Sequence, residues 1–349
     1  MTGLEIVNLK NDYILKGINL KVVKGELFVV LGPSGAGKTT LLSAIAGLIK
    51  YQGSIVIDNK PVDNLPPEKR SVSIVFQSPS LFPHMTVFEN IAYGLKVKKI
   101  NPTVIKKRVE NILDLLKISQ LKDRYPKTLS GGEKQRVAIA RALITNPKVL
   151  LMDEPFNHLD PRLRKYMRDE FKRIQKEVNV TTIFVTHDMK DAKELGNRIC
   201  ILRNGLIKQV GTWEDIVSSP LDADVSEFVG SPNIFKCERY ELLDFGLAKA
   251  YCGSLELVVP YDDKPIKKVL VYPENIYVYP TKPTGVRVNI FQGTVLDYSK
   301  MEGNKVNVYF DISGYKVVAE ISEDLFLDLQ VSPGKKYFLK FILRGIQVI

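Results

Sequence analysis

The stretch GPSGAGKT, residues 32–39, follows the apolar run LFVVL of residues 27–31 and precedes a segment with helical spacing that extends to Ala46. Gly47 then offers a helix stop. The pattern G-x-x-x-x-G-K-S/T between a buried strand and a helix predicts a loop that binds the phosphates of a nucleoside triphosphate. A chance glycine-rich turn is the alternative, and the flanking strand and helix argue against it.

The residue types in this loop suit phosphate binding. Glycines let the backbone wrap so that successive N–H groups face one anion, and the positive end of the following helix adds to the attraction. Lys38 supplies a charge for the β- and γ-phosphates, and the Thr39 hydroxyl is placed to coordinate Mg²⁺. The residues expected around ATP and Mg²⁺ in this segment are Gly32, Pro33, Ser34, Gly35, Ala36, Gly37, Lys38, Thr39 and Thr40.

Length and composition narrow the class of protein. A chain of 349 residues is long enough for two domains, and 45% hydrophobic with 26% charged residues is ordinary for a globular protein. No apolar run approaches the roughly 18 residues that span a bilayer, and no signal-peptide pattern is present, which predicts a cytoplasmic protein that is not a pore. The three cysteines form no C-x-x-C pair, which argues against a zinc site or disulfide framework. The net charge of +11 is spread along the chain, and we interpret it as a solvated surface rather than a nucleic-acid footprint.

A second strand-like run ends in two carboxylates. Residues 149–154 read VLLMDE, the pattern of a buried parallel strand whose C-terminal edge opens onto a binding crevice. We expect Asp153 to hold Mg²⁺ through its water shell and Glu154 to polarise the attacking water. Paired acids at a strand end also occur as solvated loop residues, but the phosphate loop favours the catalytic interpretation.

Residues 129–136, LSGGEKQR, precede another segment whose apolar residues have helical spacing. Ser130 is therefore expected near a helix N-cap, where small residues let backbone N–H groups approach a phosphate, so the segment predicts a second anion site. At this point the chain resembles the ATP-binding subunits of ATP-binding-cassette (ABC) transporters, whose signature sequence is LSGGQ. Glu133 stands here in place of the usual glutamine.

The resemblance implies a head-to-tail homodimer that sandwiches two ATP molecules. In that arrangement Ser130, Gly131 and Gly132 of one subunit meet the γ-phosphate held by the phosphate loop of the other. Gln77 ends a strand-like run and corresponds to the Q-loop glutamine, which contacts Mg²⁺ and the attacking water and links the site to the membrane partner. A monomer would leave both half-sites incomplete.

The resemblance also implies roles for three more residues, which correspond to family positions by their place in the sequence. His187 closes the strand-like run of residues 182–186 and corresponds to the switch histidine at the γ-phosphate, although a lone histidine is more often structural. Asp160 corresponds to the D-loop aspartate, which crosses the dimer interface. The chain reads NHLD over residues 157–160 where the family usually has SALD. Tyr13 is the aromatic residue expected to stack on adenine, with an ordinary strand-edge tyrosine as the alternative.

An apolar, proline-punctuated segment, LFPHMTVF of residues 81–88, lies just beyond Gln77. The family forms a groove there for a short helix of the membrane permease. We expect part of this surface to pack within a helical subdomain, about residues 80–145, and part to remain for the permease.

The organisation changes near residue 230. Up to that point buried strands alternate with helices, and beyond it short strand-like runs are separated by turns at all-β spacing. We predict an α/β domain of the ABC-type P-loop NTPase class over residues 1–230 and a small all-β domain over residues 231–349. The second resembles the oligonucleotide-fold-like (TOBE) domain of importer ATPases, which implies dimerisation and regulation. The predicted strands are residues 255–259, 269–272, 276–279, 286–290, 306–310, 315–319 and 337–341.

The tail also carries basic residues that could meet a regulatory anion, with ordinary solvation as the alternative. They are Lys264, Lys267, Lys268, Arg287, Lys335 and Lys336.

Two functional classes fit these features. One is the ATP-hydrolysing subunit of a membrane importer, peripheral at the cytoplasmic face, which works with permease subunits and indirectly with an extracytoplasmic substrate-binding protein. The other is a soluble cassette ATPase that acts on DNA or the ribosome, and the single cassette and importer-type tail argue against it. Residues 65–70 and 82–87 look most like importers of molybdate, tungstate or related oxyanions, with sugar and ferric-iron importers as alternatives.

Overall fold

The computed structural model describes residues 1–284, 288–301 and 304–349, and the chain divides into two compact units, Met1–Trp213 and Glu214–Ile349. The predicted fold class, an α/β P-loop domain followed by a β-rich region, is confirmed. The second unit includes two short helices that precede residue 230, the position at which we placed the domain boundary.

The first unit contains two sheets. Its strands are β1 (Thr2–Lys10), β2 (Lys16–Val23), β3 (Leu27–Leu31), β4 (Gln52–Ile57), β5 (Lys60–Pro61), β6 (Val72–Val75), β7 (Val149–Asp153), β8 (Thr181–Thr186), β9 (Arg198–Arg203) and β10 (Leu206–Gly211). Strands β2, β1, β4 and β5 form an antiparallel sheet. The other sheet has the order β10-β9-β3-β8-β7-β6 and is parallel except for β10.

Helices pack around and between these sheets. They are α1 (Lys38–Ala46), α2 (Val87–Val97), α3 (Pro102–Leu115), α4 (Gly131–Leu143), α5 (Pro161–Val178) and α6 (Met189–Leu195). The helix predicted after the phosphate loop is confirmed as α1, and Gly47 ends it with a φ of +78°. Helices α2, α3 and α4 contact one another in the segment where we predicted a helical subdomain.

The three central strands β3, β7 and β8 are buried at every residue, as predicted for parallel strands covered on both faces. Helix α1 shares one hydrophobic core with both sheets. Leu41 and Ile45 of the helix belong to the same buried cluster as Ile6 of β1, Val30 of β3 and Val185 of β8. The helix that follows the phosphate loop is therefore held from two sides.

Arg70 fixes the far end of α1. Its side chain is 5% exposed, and Nη1 donates to the carbonyl oxygens of Ala44 at 3.2 Å and Ile45 at 3.3 Å. The last carbonyls of a helix lack partners within the helix and carry the negative end of its dipole, so a guanidinium group is a favourable cap there. The sequence patterns considered above gave no indication of this role.

The second unit is built from antiparallel strands. They are β11 (Asn233–Lys236), β12 (Arg239–Leu243), β13 (Leu247–Cys252), β14 (Leu255–Pro260), β15 (Lys268–Val271), β16 (Ile276–Tyr279), β17 (Ile290–Met301), β18 (Lys305–Ile312), β19 (Tyr315–Ser322), β20 (Lys336–Phe341) and β21 (Ile346–Val348). They form the sheets β11-β15-β21, β12-β13-β14 and β16-β20-β17-β18-β19. Short helices are α7 (Trp213–Ser218), α8 (Ala223–Phe228) and α9 (Glu323–Asp328). One buried cluster that includes Phe235, Phe310 and Phe341 forms the core of this unit.

Most strands predicted in the tail are present, with ends that differ by a few residues. The strand predicted over residues 306–310 is confirmed as part of β18, along which buried and partly exposed positions alternate. Strand β12 was not predicted because nearly all its residues are exposed and no period of two marks it. The predicted strand over residues 286–290 and the turn at residues 302–304 fall partly outside the described residues, as does Arg287 entirely.

None of the described helices combines the length and the apolar character needed to cross a bilayer.

The start of α4 is closed by a reciprocal capping box. The Ser130 hydroxyl accepts from Glu133 N at 3.3 Å, and the Glu133 carboxylate accepts from Ser130 N at 2.7 Å. The N-cap predicted at Ser130 is confirmed. A glutamine side chain also has an oxygen that can accept from Ser130 N, so the exchange of Gln for Glu in the signature keeps the same local geometry.

We predict that Glu133→Gln keeps the cap but removes a pH-dependent part of the stability. The hydrogen bonds from Ser130 hold the pKa of the Glu133 carboxyl below its ordinary value of 4.5. A carboxyl with a lowered pKa in the folded state stabilises the protein above the unfolded pKa, and this stabilisation is lost as the pH falls through the folded pKa. The free energy of unfolding, measured by urea denaturation, should therefore be larger for the parent than for the variant at neutral pH. This difference should shrink below pH 4.5.

Glu89, in the equivalent box at the start of α2, provides a matched comparison. Its carboxylate accepts from Thr86 N, and these hydrogen bonds lower its pKa as well. Glu89→Gln should show the same trend. A stability difference that stays constant as the pH is lowered would contradict the assignment for either residue.

Candidate nucleotide site

The residues predicted from four separate segments meet in one cleft of about 480 Å³. The cleft opens at the C-terminal ends of neighbouring parallel strands β3, β8, β7 and β6, where parallel sheets bind their ligands. Its lining residues are Ile14, Ser34, Gly35, Gly37, Lys38, Thr39, Thr40, Gln77, Asp153, Glu154 and His187.

The phosphate loop has the backbone that its glycines were expected to permit. Gly35 has a φ of +77° and Gly37 a φ of +102°, both in the left-handed region that favours glycine. Lys38 is 6% exposed, and its Nζ donates to the carbonyl oxygens of Gly32 and Pro33, both at 3.0 Å. The ammonium group is thus tied to its own loop and oriented into the cleft.

Glu154 supplies the carboxylate that faces this ammonium group. Its Oε1 lies 3.3 Å from Lys38 Nζ, and its Oε2 lies 2.9 Å from His187 Nδ1. Asn157 Nδ2 also donates to Glu154 Oε2. Glu154 has a φ of +45°, a strained conformation for a residue with a side chain, and such strain is common at functional sites.

A hydroxyl and a carboxylate lie side by side at the same cleft. Thr39 Oγ1 donates to Asp153 Oδ1 at 3.1 Å. Burial raises the pKa of the Asp153 carboxyl, and the hydrogen bond from Thr39 and the charge of Lys38 offset this only in part. Hard oxygen ligands of this kind, together with the amide of Gln77 in the same lining, are those that Mg²⁺ prefers. The residues present therefore fit a magnesium ion.

The signature and D-loop residues lie at the starts of two neighbouring helices. Ser130 caps α4, and Asp160 caps α5 by accepting from the backbone N–H groups of the first turn. A Cβ at Gly132 would lie 2.9 Å from the Leu163 side chain, so α4 and α5 approach closely at this point. These residues are not part of the cleft lining within the chain. Their proximity to each other was not apparent from the sequence.

Tyr13, which we expected to stack on adenine, does not line the cleft in this structure. The Tyr13 side chain is 86% exposed, while its neighbour Ile14 contributes to the lining. Stacking of Tyr13 on adenine stays a prediction. His158, larger than the alanine usual in the family, is exposed, and so is compatible with the packing of the D-loop in this chain.

Asn90 is a residue that the sequence analysis missed. It is fully buried in α2, accepts from Phe82 N, and donates to the carbonyl oxygens of Phe82, Met85 and Thr86. It therefore holds the segment in which we expected a permease groove. In the sequence, an asparagine among the apolar residues of this helix indicates a polar group that needs partners, but does not say which atoms they are.

The aromatic residues of this segment are partly packed and partly exposed. Phe82 contacts the Tyr93 ring with centroids 4.8 Å apart and lies beneath the Arg141 guanidinium group at 5.4 Å. Tyr93 is 41% exposed and Phe76 is 42% exposed. The apolar side chains of residues 81–88 are themselves partly or fully buried, so a surface left for the permease in this segment stays a prediction.

The lysines of the tail that were considered as anion partners contact different groups of the protein. Lys264 lies 3.7 Å from Asp262, Lys268 donates to the Ser218 carbonyl, and Lys335 donates to the Gln330 carbonyl. Their separate partners favour the alternative of ordinary surface residues over an anion-binding cluster.

Known proteins that are similar to this chain belong to a family of ATP-binding proteins, as the residues of the cleft lead one to expect. A family model described as ABC transporter matches residues 15–157. The spermidine/putrescine import ATP-binding protein PotA of Legionella pneumophila (strain Paris) is 40% identical over 312 residues, which cover 88% of this chain and 85% of that protein. The molybdate/tungstate import ATP-binding protein WtpC of Pyrococcus abyssi is 37% identical over 354 residues, 99% of both chains.

A solved structure is also similar. The ATP-binding cassette MJ0796, in a dimeric post-hydrolysis state bound to ADP and inorganic phosphate, has a TM-score of 0.54 and 32% identity over 60% of this chain and 98% of its own. Sequence similarity at the level of the two import proteins, over nearly the whole chain, shows that this chain belongs to the ATP-binding import subunits of ABC transporters and is an ATP hydrolase.

Proposed function

We propose that this chain binds and hydrolyses ATP in the cleft between the phosphate loop and the ends of β6, β7 and β8, and so drives a separate membrane permease. The observation that carries the proposal is the contact network of Lys38, Glu154 and His187 at one end of a parallel sheet. In this role the chain is peripheral at the cytoplasmic face of the membrane.

The side chains divide the chemistry of hydrolysis among them. Lys38 and the N–H groups of the phosphate loop bind the β- and γ-phosphates. Thr39, Gln77 and Asp153 would hold Mg²⁺, and the ion would supply positive charge to the phosphate oxygens. When phosphate oxygens take over Lys38 as their partner, the Glu154 carboxylate is released to orient a water molecule and accept its proton.

His187 and Asn157 position the Glu154 carboxylate. His187 Nδ1 and Asn157 Nδ2 both approach Oε2, so Oε1 is the oxygen that faces Lys38 and the phosphate side of the cleft. The oxygen of the water then attacks the γ-phosphorus as the bond to the β-phosphate oxygen breaks, and ADP and inorganic phosphate leave.

Glu154→Gln should leave ATP binding nearly intact and reduce turnover by about a hundredfold or more, because the amide keeps the shape but accepts no proton. Turnover is measured by phosphate release and binding by equilibrium titration with ATP. Glu5→Gln is a matched control, since Glu5 forms a surface ion pair with Lys21 at 3.4 Å. A Glu154→Gln variant that turns over at the parental rate would exclude this residue as the general base.

The chain is further proposed to act as a homodimer in which Ser130, Gly131, Gly132 and Asp160 complete the site of the partner subunit. The adjoining starts of α4 and α5 support this, because they bring the signature and D-loop residues close together. The dimeric state described for MJ0796 also supports it.

A mixture of two inactive variants tests the shared site. Ser130→Arg blocks the signature and Lys38→Ala weakens phosphate binding, and each homodimer should be inactive. A heterodimer holds one doubly damaged site and one intact site, so mixing should restore part of the ATPase activity. If a heterodimer verified by native mass spectrometry is as inactive as its parents, the shared-site proposal in this form is rejected.

For the imported substrate we propose an oxyanion such as molybdate or tungstate. The supporting observation is the match to WtpC over 99% of both chains. A polyamine is the second candidate, since PotA has a higher identity over 88% of this chain. We expect the substrate-binding protein that works with the permease to bind tungstate and molybdate, and not spermidine, in isothermal titration. Binding of spermidine alone would transfer the assignment to the polyamine class.

A further inference from the structure

A tight turn outside the sequence motifs contacts both walls of the nucleotide cleft. Asn204 and Gly205 connect β9 to β10 with φ values of +51° and +75°. Gly205 N donates to the Ala36 carbonyl of the phosphate loop at 3.1 Å. The Gly205 carbonyl accepts from Lys16 N at 3.0 Å, just after the segment that carries Tyr13 and Ile14.

The approach at Gly205 leaves no room for a side chain. A Cβ there would lie 1.6 Å from the Ile14 carbonyl oxygen and 2.7 Å from the Ile14 carbonyl carbon. Both neighbours are backbone atoms, so the clash is relieved only by moving the backbone at Ile14 and the turn at Gly205 apart. The same hairpin also abuts the start of the phosphate loop, because a Cβ at Gly32 would lie 2.2 Å from the Leu202 carbonyl oxygen.

The segment next to this turn, residues 11–15, is a compact loop held by one side chain. Asn11 Oδ1 accepts from Ile14 N at 3.0 Å and from Leu15 N at 2.7 Å. Asn11 Nδ2 is buried and has no hydrogen-bond partner in the part of the chain that the structure describes. We name residues 11–15 the base-side loop, because Ile14 lines the cleft and Tyr13 is exposed beside it.

The base-side loop also touches the phosphate loop directly. A Cβ at Gly37 would lie 3.2 Å from both Ile14 Cγ2 and Leu15 Cδ2. The spacing between the two loops is therefore set by Gly37 on one side and by Gly205 on the other. A displacement at Ile14 changes the wall of the cleft on the base side, while the N–H of residue 205 can still bond to Ala36.

We propose that Gly205 is a positioning residue that holds the base-side loop against the phosphate loop, so that ATP is recognised by its nucleoside part as well as by its phosphates. The proposal rests on the proposed ATP site. It assigns no contact between Gly205 and the nucleotide, because the turn acts through Ile14.

Gly205→Ala tests the assignment through two ligands that share the phosphates and differ in the nucleoside. We expect the affinity for ATP to fall on the order of tenfold, because a displaced wall weakens the nucleoside contacts, while the affinity for inorganic tripolyphosphate changes little. KM for ATP should rise with little change in kcat, since these contacts are equal in the ground state and transition state.

Gly314→Ala is the matched control. Ser313 and Gly314 form a hairpin turn between β18 and β19 with φ values of +52° and +89°, and no heavy atom lies within 4 Å of a Cβ at Gly314. An alanine at residue 314 must adopt the same left-handed backbone conformation as one at residue 205, but its Cβ meets no neighbouring segment among the described residues. It should bind both ligands as the parent does.

A second pair of variants keeps the test decisive if Gly205→Ala fails to fold. Asn11→Ala removes the two hydrogen bonds to the base-side loop and should lower the ratio of ATP affinity to tripolyphosphate affinity. Asn11→Asp keeps an accepting oxygen and should restore the ratio of the two affinities. The added negative charge should change this ratio little, because both ligands are anions.

Equal losses for ATP and tripolyphosphate, or no loss, in both Gly205→Ala and Asn11→Ala would overturn the proposal. A parental protein that binds tripolyphosphate and ATP with equal affinity would also overturn it. Failure of the parent to bind ATP at all would instead overturn the proposed function.

Discussion

The charge of one buried lysine is the constraint on which the nucleotide site depends. Lys38 is 6% exposed, and a buried ammonium group is costly unless oxygen atoms surround it. Two carbonyls of its own loop and the Glu154 carboxylate supply those oxygens. The position of Glu154 in turn requires a left-handed backbone at the end of β7 and the nearby His187 and Asn157.

This network also accounts for how binding and chemistry are linked. The partner of Glu154 in the network is Lys38, the group proposed to bind phosphate, so occupation of Lys38 by phosphate oxygens would change the environment of the proposed general base. Burial raises the pKa of the Asp153 carboxyl despite the hydrogen bond from Thr39, so a cation bound beside Thr39 would offset the cost of its negative charge. In the proposed function, cation, phosphate and water would thus be coupled through adjacent residues at the ends of two strands.

The two compact units differ in the kind of sheet from which they are built. In the first, buried parallel strands and helix α1 bring residues from distant parts of the chain to one edge of a sheet. In the second, antiparallel strands joined by turns enclose their own core, and the lysines considered as anion partners have separate contacts. The cleft and its chemistry are therefore described by the first unit alone, whereas the second supplies the long β-rich extension also covered by the import relatives.

The sequence by itself determined the phosphate loop, its flanking strand and helix, the carboxylates that end β7, and the cap at Ser130. These are local features, in which residue type and spacing within a few positions dictate the backbone. Arg70 and Gly205 gave no such signal, because the backbone atoms that they meet, at Ala44, Ile45 and Ile14, belong to distant segments. Asn90 was missed although its partners are only four to eight residues away, because the irregular segment that it holds has no repeating pattern. Gly205 in the sequence indicates only a turn, and its hydrogen bond to Ala36 arises because β9 lies beside β3 in the sheet. Tertiary structure alone decided which turn meets the cleft, since sheet order is set by the burial of whole strands rather than by any one residue.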